Sequence, residues 1–276
     1  MAVWLDQALL AATDALYALR PLASVTPAQA ARTRIVSHRG ERDDRTVFEN
    51  TFAAFDRLRG TGVHALECDV RWTADLVPVV YHDADLGRLH GDATPLRSLT
   101  ADELRARRPE IPLLAELVRR YADEFHLMIE VKPEPYPDPP LQDRRLAEAL
   151  APALGTGRCH VLSLQPALFR HLPSLPAERT MSVARFDAAP LGAEALAARR
   201  GGFSTHYALL SRAAIGRHHA AGQCIGCGFP RSRAVLHREI ARGVDYVFTN
   251  QALRLERWRQ ALLAAVPRPG TPAPRR

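Results

Sequence analysis

Lysine is almost absent from this chain of 276 residues: Lys132 is the only one, although lysine and arginine together number 37. Cysteine is scarce as well, and four residues are too few for a disulfide framework in a chain of this length. Two of them, Cys224 and Cys227, form a lone CxxC pair without a second pair, which argues against a zinc site. We expect all four to be buried thiols in a reducing compartment; they are Cys68, Cys159, Cys224 and Cys227.

No uncharged apolar run reaches about 18 residues, so the sequence predicts no membrane-spanning segment. The first stretch begins without a basic residue and carries an acid at Asp6, which favours an amphipathic helix over an export signal. Trp4, Leu5 and Leu9 would be its membrane-facing side chains, but the first cation, Arg20, comes too late to hold anionic lipid. We therefore expect a cytoplasmic protein whose first helix packs against the main domain, with membrane contact as the less favoured alternative.

The formal charge of +7 does not indicate a nucleic-acid partner, because arginine is scattered along the chain and no RNA- or DNA-binding motif accompanies it. A surplus of cations also suits a small substrate that bears phosphate. With 47% hydrophobic residues, the chain is long enough to bury a large core. These totals predict a globular enzyme or binding protein that acts on a small molecule, and they leave its oligomeric state open.

Short β-branched runs alternate with helical stretches along nearly the whole chain. Such alternation without an internal linker predicts an α/β fold, a TIM-type (β/α)8 barrel, over residues 34–262. Residues 1–33 would hold the N-terminal helix and a linker, and the Pro/Arg-rich residues 263–276 a disordered tail. The strands are expected at Arg34–His38, Ala65–Val70, Val77–His82, His126–Val131, Cys159–Leu164, Thr180–Ala184, Phe203–Tyr207, Cys224–Gly228 and Tyr246–Thr249.

These candidate strands are one too many for an eight-stranded barrel. The connection RWTADL between the second and the third is too short for a helical crossover, so one of this pair should be a hairpin arm or an irregular extension. After it, residues 84–112 look like a small insertion with one helix, capped by Thr100 and Glu103. An insertion after the C-terminal end of a barrel strand lies on the face where active sites form.

Charged and imidazole side chains stand at the ends of these otherwise apolar strands. Glu67 and Asp69 lie on one face of a strand, where two carboxylates repel each other unless a cation or a proton lies between them. Oxygen ligands of this kind favour a hard ion, Mg²⁺ or Ca²⁺. Parallel barrel strands bring their C-terminal ends to one mouth, so the polar groups should meet there. The full set is His38, Arg39, Glu67, Asp69, His82, Asp83, Glu130 and Lys132.

Glu130 and Lys132 repeat this spacing on another strand. Glu130 would be a third metal ligand, and Lys132 a compact cation that contacts phosphate where the planar fork of arginine would not fit. The plainer interpretation is a structural ion pair in which a single lysine survives by chance. The combination of histidines, acids and cations at consecutive strand ends favours a site over packing.

The segment ENTFAAF indicates that a helix starts close to His38. Asn50 is expected to act as its N-cap, a structural role and not a catalytic one. The start of the helix would then add positive potential beside the strand-end histidine.

These motifs, in this order, resemble the glycerophosphodiester phosphodiesterase family. HRG, ENT, ECDVRWTAD, PVVYHD, IEVK and GVDYVFTN match the family's pattern and spacing from about Arg34 to Gln251. The resemblance implies a barrel of the phospholipase C-like (PLC-like) phosphodiesterase type. It also implies hydrolysis of glycerophosphodiesters to sn-glycerol 3-phosphate and an alcohol, with one divalent cation, Mg²⁺ or Ca²⁺, as cofactor.

Carried onto this sequence, the family pattern assigns a role to each strand-end residue. His38 and His82 match the catalytic histidines, and we favour His38 as the base and His82 as the acid. Arg39 and Lys132 match the cations that contact the substrate phosphate. The metal ligands would be Glu67, Asp69 and Glu130.

Three places depart from the family pattern. Phe48 stands where a proline usually precedes Glu-Asn-Thr. Gly228 and Phe229 replace a Trp-Thr pair that often lines the substrate pocket, which bears on alcohol specificity. Asn250 replaces the aspartate of the final Thr-Asp, so a carboxylate near the barrel mouth is lost.

The same constellation of residues would serve other functions. A lysophospholipase D-like or phospholipase C-like reaction on lipid substrates is the closest alternative. A phosphoester-binding barrel without turnover is the alternative outside enzymes, but a binding protein has no need for two proton carriers. A metal-dependent isomerase or aldolase acting on a phosphosugar is a third.

Overall fold

A computed structural model describes residues 13–264 of the chain. The strands in this range are β1 (Arg34–His38), β2 (Ala65–Trp72), β3 (Pro78–Val80), β4 (Asp85–Leu86), β5 (Asp92–Pro95), β6 (His126–Val131), β7 (Cys159–Ser163), β8 (Thr180–Ala184), β9 (Gly202–His206), β10 (Cys224–Gly228) and β11 (Tyr246–Thr249).

Residues 13–18 are helical, and the helices that follow them lie mostly between these strands. None of the helices within residues 13–264 has the length and apolar character that crossing a membrane requires. They are α1 (Pro27–Arg32), α2 (Phe52–Asp56), α3 (Gly87–His90), α4 (Ala101–Arg107), α5 (Leu114–Tyr121), α6 (Pro139–Gly155), α7 (Ala188–Ala197), α8 (Arg212–Ala220), α9 (Arg233–Arg242) and α10 (Ala252–Ala264).

Eight parallel strands form a closed barrel, so the predicted TIM-type fold is confirmed. The strands follow one another in the order β1–β11–β10–β9–β8–β7–β6–β2, and pairing between β1 and β2 closes the ring. The register sets His38 beside Glu67 and Asp69 beside Glu130. Neighbouring strands therefore bring these side chains to similar levels at the C-terminal mouth of the barrel.

β3 is the extra strand that the sequence analysis predicted. It runs antiparallel to β2, with Val80 opposite Val70, so it is a hairpin arm and not a barrel strand. The insertion after it contains an antiparallel ribbon of β4 and β5 together with the short helix α3. At the start of α4, Thr100 and Glu103 form the predicted capping box.

One crossover of the barrel has no α-helix. Between β7 and β8 the chain makes two 3-10 turns, Pro166–His171 and Ala177–Arg179. This segment contains three prolines, Pro166, Pro173 and Pro176. Because proline lacks a backbone N–H, it cannot continue the hydrogen-bond pattern of a helix interior.

Two sets of apolar side chains hold the barrel together. The larger fills the space between strands and helices, and β6 is buried along its whole length because both of its faces are covered. The smaller lies on the opposite faces of the strands, inside the barrel. Its members are Val36, Ala65, Met128, Leu162, Met181, Tyr246 and Phe248.

Residues 13–18 pack against the barrel near the loop after β10. The buried carboxylate of Asp14 accepts a hydrogen bond from the backbone N–H of Arg231 at 2.8 Å. The ring of Tyr17 meets Tyr207 edge-on, and the Arg238 guanidinium lies 4.5 Å from its centre. Trp4, Leu5 and Leu9, with the rest of residues 1–12, lie outside the described residues.

The C-terminal helix α10 continues to Ala264, two residues beyond the expected domain boundary at residue 262. The predicted disordered tail lies outside the described residues from residue 265 onward. Near the start of the barrel, Arg259 on α10 donates to the backbone carbonyl of Ala30 on α1 at 3.0 Å. Helices α1 and α10 thus pack together on one side of the barrel.

The four cysteines were expected to be buried thiols, and three of them are. Cys68, Cys159 and Cys227 are buried, whereas Cys224 is only partly buried, and all four are free. Burial raises the pKa of both the Cys159 and the Cys224 thiol to about 12. These cysteines are therefore protonated packing residues at neutral pH.

Candidate active site

Three carboxylates meet at the C-terminal mouth of the barrel. Glu67 and Asp69 come from β2, and Glu130 comes from the neighbouring strand β6. One oxygen of each lies within 4.8 Å of the other two, and all three residues are buried. Glu67 and Asp69 share a face because side chains two positions apart on a strand point the same way. The expected convergence of these acids is therefore present.

Two cations compensate the acidic cluster in part. The Lys132 ammonium lies 2.6 Å from Asp69 Oδ1 and also contacts Glu130 Oε1. Arg39 Nε lies 2.9 Å from Asp69 Oδ2. Burial alone would raise the pKa of Asp69, but these two cations outweigh it and hold the pKa far below its usual range.

Glu67 is the carboxylate that this arrangement leaves least compensated. Burial raises its pKa well above the usual value, and the neighbouring charges of Asp69 and Glu130 raise it further. Its Oε1 atom is buried and has no hydrogen-bond partner. A buried acceptor without a partner is costly unless something supplies positive charge. The residues present therefore fit a hard divalent cation, for which carboxylate oxygens are the preferred ligands.

The HRG motif owes its glycine to a close approach of two backbones. Arg39 and Gly40 both adopt the left-handed conformation, with φ values of 62° and 84°. A Cβ atom on Gly40 would come within 2.6 Å of Ala54 Cβ on α2. This turn presents the Arg39 side chain to the carboxylates, while its backbone N–H donates to the Glu67 carbonyl at 2.9 Å.

His38 is oriented by a neutral amide. Its Nδ1 lies 2.7 Å from Asn250 Oδ1, which also accepts a hydrogen bond from Arg42 Nη2 at 3.2 Å. Nδ1 is therefore the donor, and the Nε2 lone pair faces the site, 3.8 Å from Glu67 Oε2. Burial, followed by the charge of Arg39, lowers the pKa of His38 well below its usual value.

His82 is oriented by a carboxylate. Its Nδ1 donates to Asp83 Oδ1 at 2.7 Å, and Arg88 Nε donates to Asp83 Oδ2 at 2.6 Å. Burial would raise the pKa of Asp83, but the hydrogen bonds from His82 and Arg88 lower it to about 2. The imidazole therefore has an ionised acid behind it, in contrast with His38.

Asn50 is not the helix cap that the sequence predicts. Thr51 is the N-cap of α2, and its hydroxyl accepts from the backbone N–H of Ala54. Asn50 has a φ of 60°, and its amide donates to Asp69 Oδ2 at 2.8 Å. Two adjacent residues of cap-forming type make the pattern ambiguous, and only the fold shows that Asn50 belongs to the acidic cluster.

Glu49 is another residue that sequence reasoning missed. It accepts from Arg39 Nη1 at 3.0 Å and from Arg88 Nη2 at 2.5 Å. Glu49 therefore connects the loop after β1 with Arg88, the residue that holds Asp83 beside His82. No local pattern signals this role, because the contacts join segments that are distant in sequence.

A cavity of about 550 Å³ opens above these groups. Of the seven residues to which the family pattern assigns a role, all except Asp69 line it, and Asp69 is fully buried beside the cavity-lining cations. Asp83, the eighth polar residue of the predicted strand ends, is not among the lining residues. The cavity-lining members are His38, Arg39, Glu67, His82, Glu130 and Lys132.

The fold and this site together define a TIM-type barrel with an acidic centre flanked by two imidazoles. The sequence model described as the glycerophosphoryl diester phosphodiesterase family matches residues 38–165, the stretch that contains the whole of this centre apart from Asn250.

Curated relatives carry the same family name. A glycerophosphodiester phosphodiesterase of Caldanaerobacter subterraneus subsp. tengcongensis is 31% identical over 113 residues, which cover 37% of this chain and 46% of the relative. Glycerophosphodiester phosphodiesterase 1 of Bos taurus is 33% identical over 78 residues, 28% of this chain and 23% of the relative. The chain thus spans less than half the length of these relatives.

Solved structures share the fold over most of the chain. A glycerophosphodiester phosphodiesterase of Agrobacterium tumefaciens str. C58 is 24% identical with a TM-score of 0.66, covering 85% of this chain and 100% of its own. A phosphodiesterase of Oleispira antarctica, in complex with the product sn-glycerol-3-phosphate, is 17% identical with a TM-score of 0.66, covering 86% and 99%. The chain is thus similar to the glycerophosphodiester phosphodiesterase family over residues 38–165, and it shares the fold of these solved structures.

Proposed function

We propose that this chain hydrolyses glycerophosphodiesters to sn-glycerol 3-phosphate and an alcohol, with one divalent cation, Mg²⁺ or Ca²⁺. The observation that carries the proposal is the meeting of three buried carboxylates with two cations in a cavity that both predicted histidines line. The names of the curated relatives support it, as does the product in the Oleispira antarctica structure.

Glu67, Asp69 and Glu130 would hold the cation, for which the buried Oε1 atom of Glu67 offers an acceptor without a partner. A divalent ion at this place supplies charge stabilisation to a phosphoryl oxygen. Asn50 donates to Asp69 Oδ2 at 2.8 Å and so fixes the orientation of that carboxylate.

Arg39 and Lys132 contact the substrate phosphate in this proposal. Both line the cavity while they are anchored on carboxylates, so little side-chain freedom is lost when a phosphate binds. Lys132 is only 6% exposed and lies between two acids, a place that suits a compact ammonium better than a planar guanidinium.

His38 acts as the base and His82 as the acid. The neutral partner of His38 and its lowered pKa favour the unprotonated imidazole, whose Nε2 lone pair can take a proton. The Asp83 carboxylate accepts from His82 Nδ1 and so leaves Nε2 as the atom that can give a proton to the leaving group. Each transfer is typically worth about 10²–10⁴ in rate.

The proton transfers balance for either nucleophile. His38 removes a proton from water or from the neighbouring glycerol hydroxyl, a new P–O bond forms, and the P–O bond to the alcohol breaks. His82 protonates the departing alkoxide. Attack by the hydroxyl first gives a cyclic phosphodiester, which water opens with the two histidines in exchanged roles.

The test is a panel of glycerophosphodiesters assayed for glycerol 3-phosphate with Mg²⁺, with Ca²⁺ and with a chelator. We expect turnover only with a divalent ion, and a loss of about 10²–10⁴ in kcat for His38→Ala and for His82→Ala. His219→Ala, on an exposed helix position outside the cavity, is the matched control. Near-normal turnover by a folded His38→Ala or His82→Ala variant would refute the assignment.

The non-catalytic alternative makes a different prediction. A binding barrel would retain the phosphoester for hours in the presence of the metal and release no glycerol 3-phosphate. Equilibrium binding combined with a product assay on the same sample distinguishes the two. The two differently supported imidazoles favour the enzyme.

A further inference from the structure

His82 is held in a different way from the other predicted site residues. It follows β3, the three-residue arm that pairs with β2 in antiparallel register. The register of the parallel barrel therefore does not fix its position, and the contacts of the loop after β3 must do so. The others lie in a barrel strand or directly after one; they are His38, Arg39, Glu67, Asp69, Glu130 and Lys132.

Two hydrogen bonds tie the backbone around His82 to β2. The backbone N–H of Tyr81 donates to the Asp69 carbonyl at 3.0 Å. Arg71 Nε donates to the carbonyl of His82 itself at 2.7 Å. A hydrogen bond from a guanidinium is charge-assisted and is stronger than one between neutral groups. Arg71 therefore provides a strong link from the barrel wall to the backbone of His82.

Arg71 is itself held by a carboxylate from the loop after β6. Its Nη1 donates to Glu134 Oε2 at 3.3 Å, and the backbone N–H of Trp72 donates to Glu134 Oε1 at 3.0 Å. Both oxygens of the acid are thus engaged. The Arg71 side chain is 13% exposed and that of Glu134 is 11% exposed, so solvent screens this ion pair less than it would a surface pair.

This ion pair lies behind the cavity wall. Neither Arg71 nor Glu134 is among the described residues that line the cavity. The His82 ring has a separate support, because Asp83 accepts from its Nδ1 and Arg88 in turn holds Asp83. The direct contact between Arg71 and a cavity-lining group is therefore the one with the backbone of His82.

The geometry points to Arg71 as a positioning residue for His82, with Glu134 as its anchor. This inference rests on the proposed function, since it takes His82 to be the acid that protonates the departing alkoxide. An acid must lie within about 2.6–3.2 Å of the oxygen that receives its proton. A misplacement of about 1 Å can cost about 10²-fold in rate, so a loop released from β2 would transfer the proton poorly.

The dependence on the leaving group shows whether the acid is in place. Glycerophosphocholine releases an alkoxide that needs a proton, whereas the p-nitrophenyl ester of glycerol 3-phosphate releases a stable phenolate without one. With Mg²⁺, we expect Arg71→Gln to lower kcat/KM by about 10–10²-fold for glycerophosphocholine and by less than about threefold for the nitrophenyl ester. The ratio of the two values does not depend on the folded fraction. Equal losses would overturn the inference.

Further variants test whether Arg71 acts through His82. His82→Ala should show the same dependence on the leaving group, and adding Arg71→Gln to it should cause no further loss, because both remove one proton transfer. Arg71→Lys keeps a donor and should recover part of the loss. The matched control is Arg105→Gln, which removes an exposed pair with Glu116 at 2.7 Å and should behave like wild type. Additive losses in the double variant would separate Arg71 from His82 and overturn the inference.

Hydrogen–deuterium exchange examines the loop without turnover. In Arg71→Gln, and to a smaller extent in Glu134→Gln, the Tyr81 amide should exchange about tenfold faster, because the loop opens more often once its tether is lost. The amides of β9, which lies opposite β2 in the ring, should exchange as in wild type. So should the Tyr81 amide in Arg105→Gln. Unchanged exchange of Tyr81 in Arg71→Gln would contradict the tether.

The two proposals fail separately. If glycerophosphocholine is cleaved and Arg71→Gln affects both esters equally, the inference is overturned and the proposed function stands. If wild type cleaves no diester, the proposed function is overturned. Faster exchange of Tyr81 in Arg71→Gln would then still support the placement of His82 by Arg71, and unchanged exchange would overturn it.

Discussion

Lys132 compensates two buried carboxylates with one ammonium. Its Nζ lies 2.6 Å from Asp69 and also contacts Glu130, and burial, which would lower its pKa, is outweighed by these two acids, which raise it. Arginine could carry the same charge, but its planar fork is larger and presents its donors in a fixed geometry. The difference between the two cations should therefore be measurable at this position.

We expect Lys132→Arg to lower kcat/KM on a glycerophosphodiester by about 10²-fold, which corresponds to about 2.7 kcal/mol. The guanidinium cannot occupy the space between Asp69 and Glu130 without displacing one of them. Steady-state kinetics with a saturating divalent ion measures the loss.

The control exchanges the same two residue types elsewhere. Arg119→Lys, on the exposed face of α5, should behave like wild type. Wild-type kinetics for Lys132→Arg would show that position 132 requires only a positive charge, and the argument from shape would be wrong.

Single residues were predictable where strand periodicity fixes their direction. Glu67 and Glu130 follow from alternation along β2 and β6, and they converge as expected. Asn50, Glu49 and Arg88 were not predictable, because their roles depend on contacts between segments far apart in the sequence. The phosphate roles of the two cations stay predictions.

At the scale of elements, the loop between β1 and α2 depends on one glycine. Gly40 has a φ of 84°, and a Cβ atom there would lie 2.6 Å from Ala54 Cβ and 3.0 Å from its carbonyl carbon. The contact is with a side-chain carbon and backbone of a packed helix, so it cannot be relieved by moving the end of a flexible side chain. Since Arg39 precedes Gly40 directly, any shift of this loop also moves a site cation.

We expect Gly40→Ala to lower the free energy of unfolding by about 2–4 kcal/mol, the sum of left-handed strain and the forced separation from α2. Gly60→Ala is the matched control, because Gly60 has a φ of 69° but no atom within 4 Å of the added Cβ. It should cost only the strain, about 1–2 kcal/mol. Urea unfolding of both variants measures the difference, and equal losses would mean that the approach to α2 is unimportant.

The strands were more predictable than the helices. Short apolar runs predicted β1, β6, β8, β10 and β11 to the residue. The segment ENTFAAF predicted where α2 starts, but not that it ends already at Asp56. Helix limits depend on packing as well as propensity, and the crossover after β7 shows how prolines replace a helix by 3-10 turns.

At the scale of the whole molecule, the opposite end of the barrel is buried and rich in histidine. His126 Nε2 and His160 Nδ1 lie 2.8 Å apart, which requires at least one of the rings to accept a hydrogen bond. Burial and neighbouring cations, Arg34 and Arg179 among them, lower the pKa of His126 to about 3 and that of His160 to about 4; His64 stacks on His126 and adds to the effect. These rings are neutral in the folded protein at pH 5.

The pair makes the barrel sensitive to acid. In the unfolded chain histidine has a pKa of about 6.5, so below that pH the unfolded state binds protons that the folded state does not. The contribution of the pair to stability is complete above about pH 6.5 and is lost as the pH falls towards 4, by on the order of 3 kcal/mol for each ring. A His126→Leu/His160→Leu double variant should therefore lose less stability than wild type between pH 7 and pH 5 in urea unfolding. Parallel losses would show that the pair does not cause the acid sensitivity.

The overall architecture follows from the alternation of strands and helices, and the arrangement of charge within it decides how the molecule responds to metal. Three carboxylates face two cations. The burial that raises the pKa of Glu67 also lowers the free energy of unfolding when this carboxylate is charged. A divalent ion that binds only the folded chain should raise the free energy of unfolding by about 2.7 kcal/mol at 100 times its Kd, and a chelator should reverse the gain.

Glu67→Gln should abolish the gain and, in chelator, be at least as stable as wild type, because it removes the uncompensated charge. Glu148→Gln, on the exposed face of α6, should respond like wild type. Thermal unfolding with and without the ion measures both effects, and an undiminished gain in Glu67→Gln would place the ion away from these carboxylates.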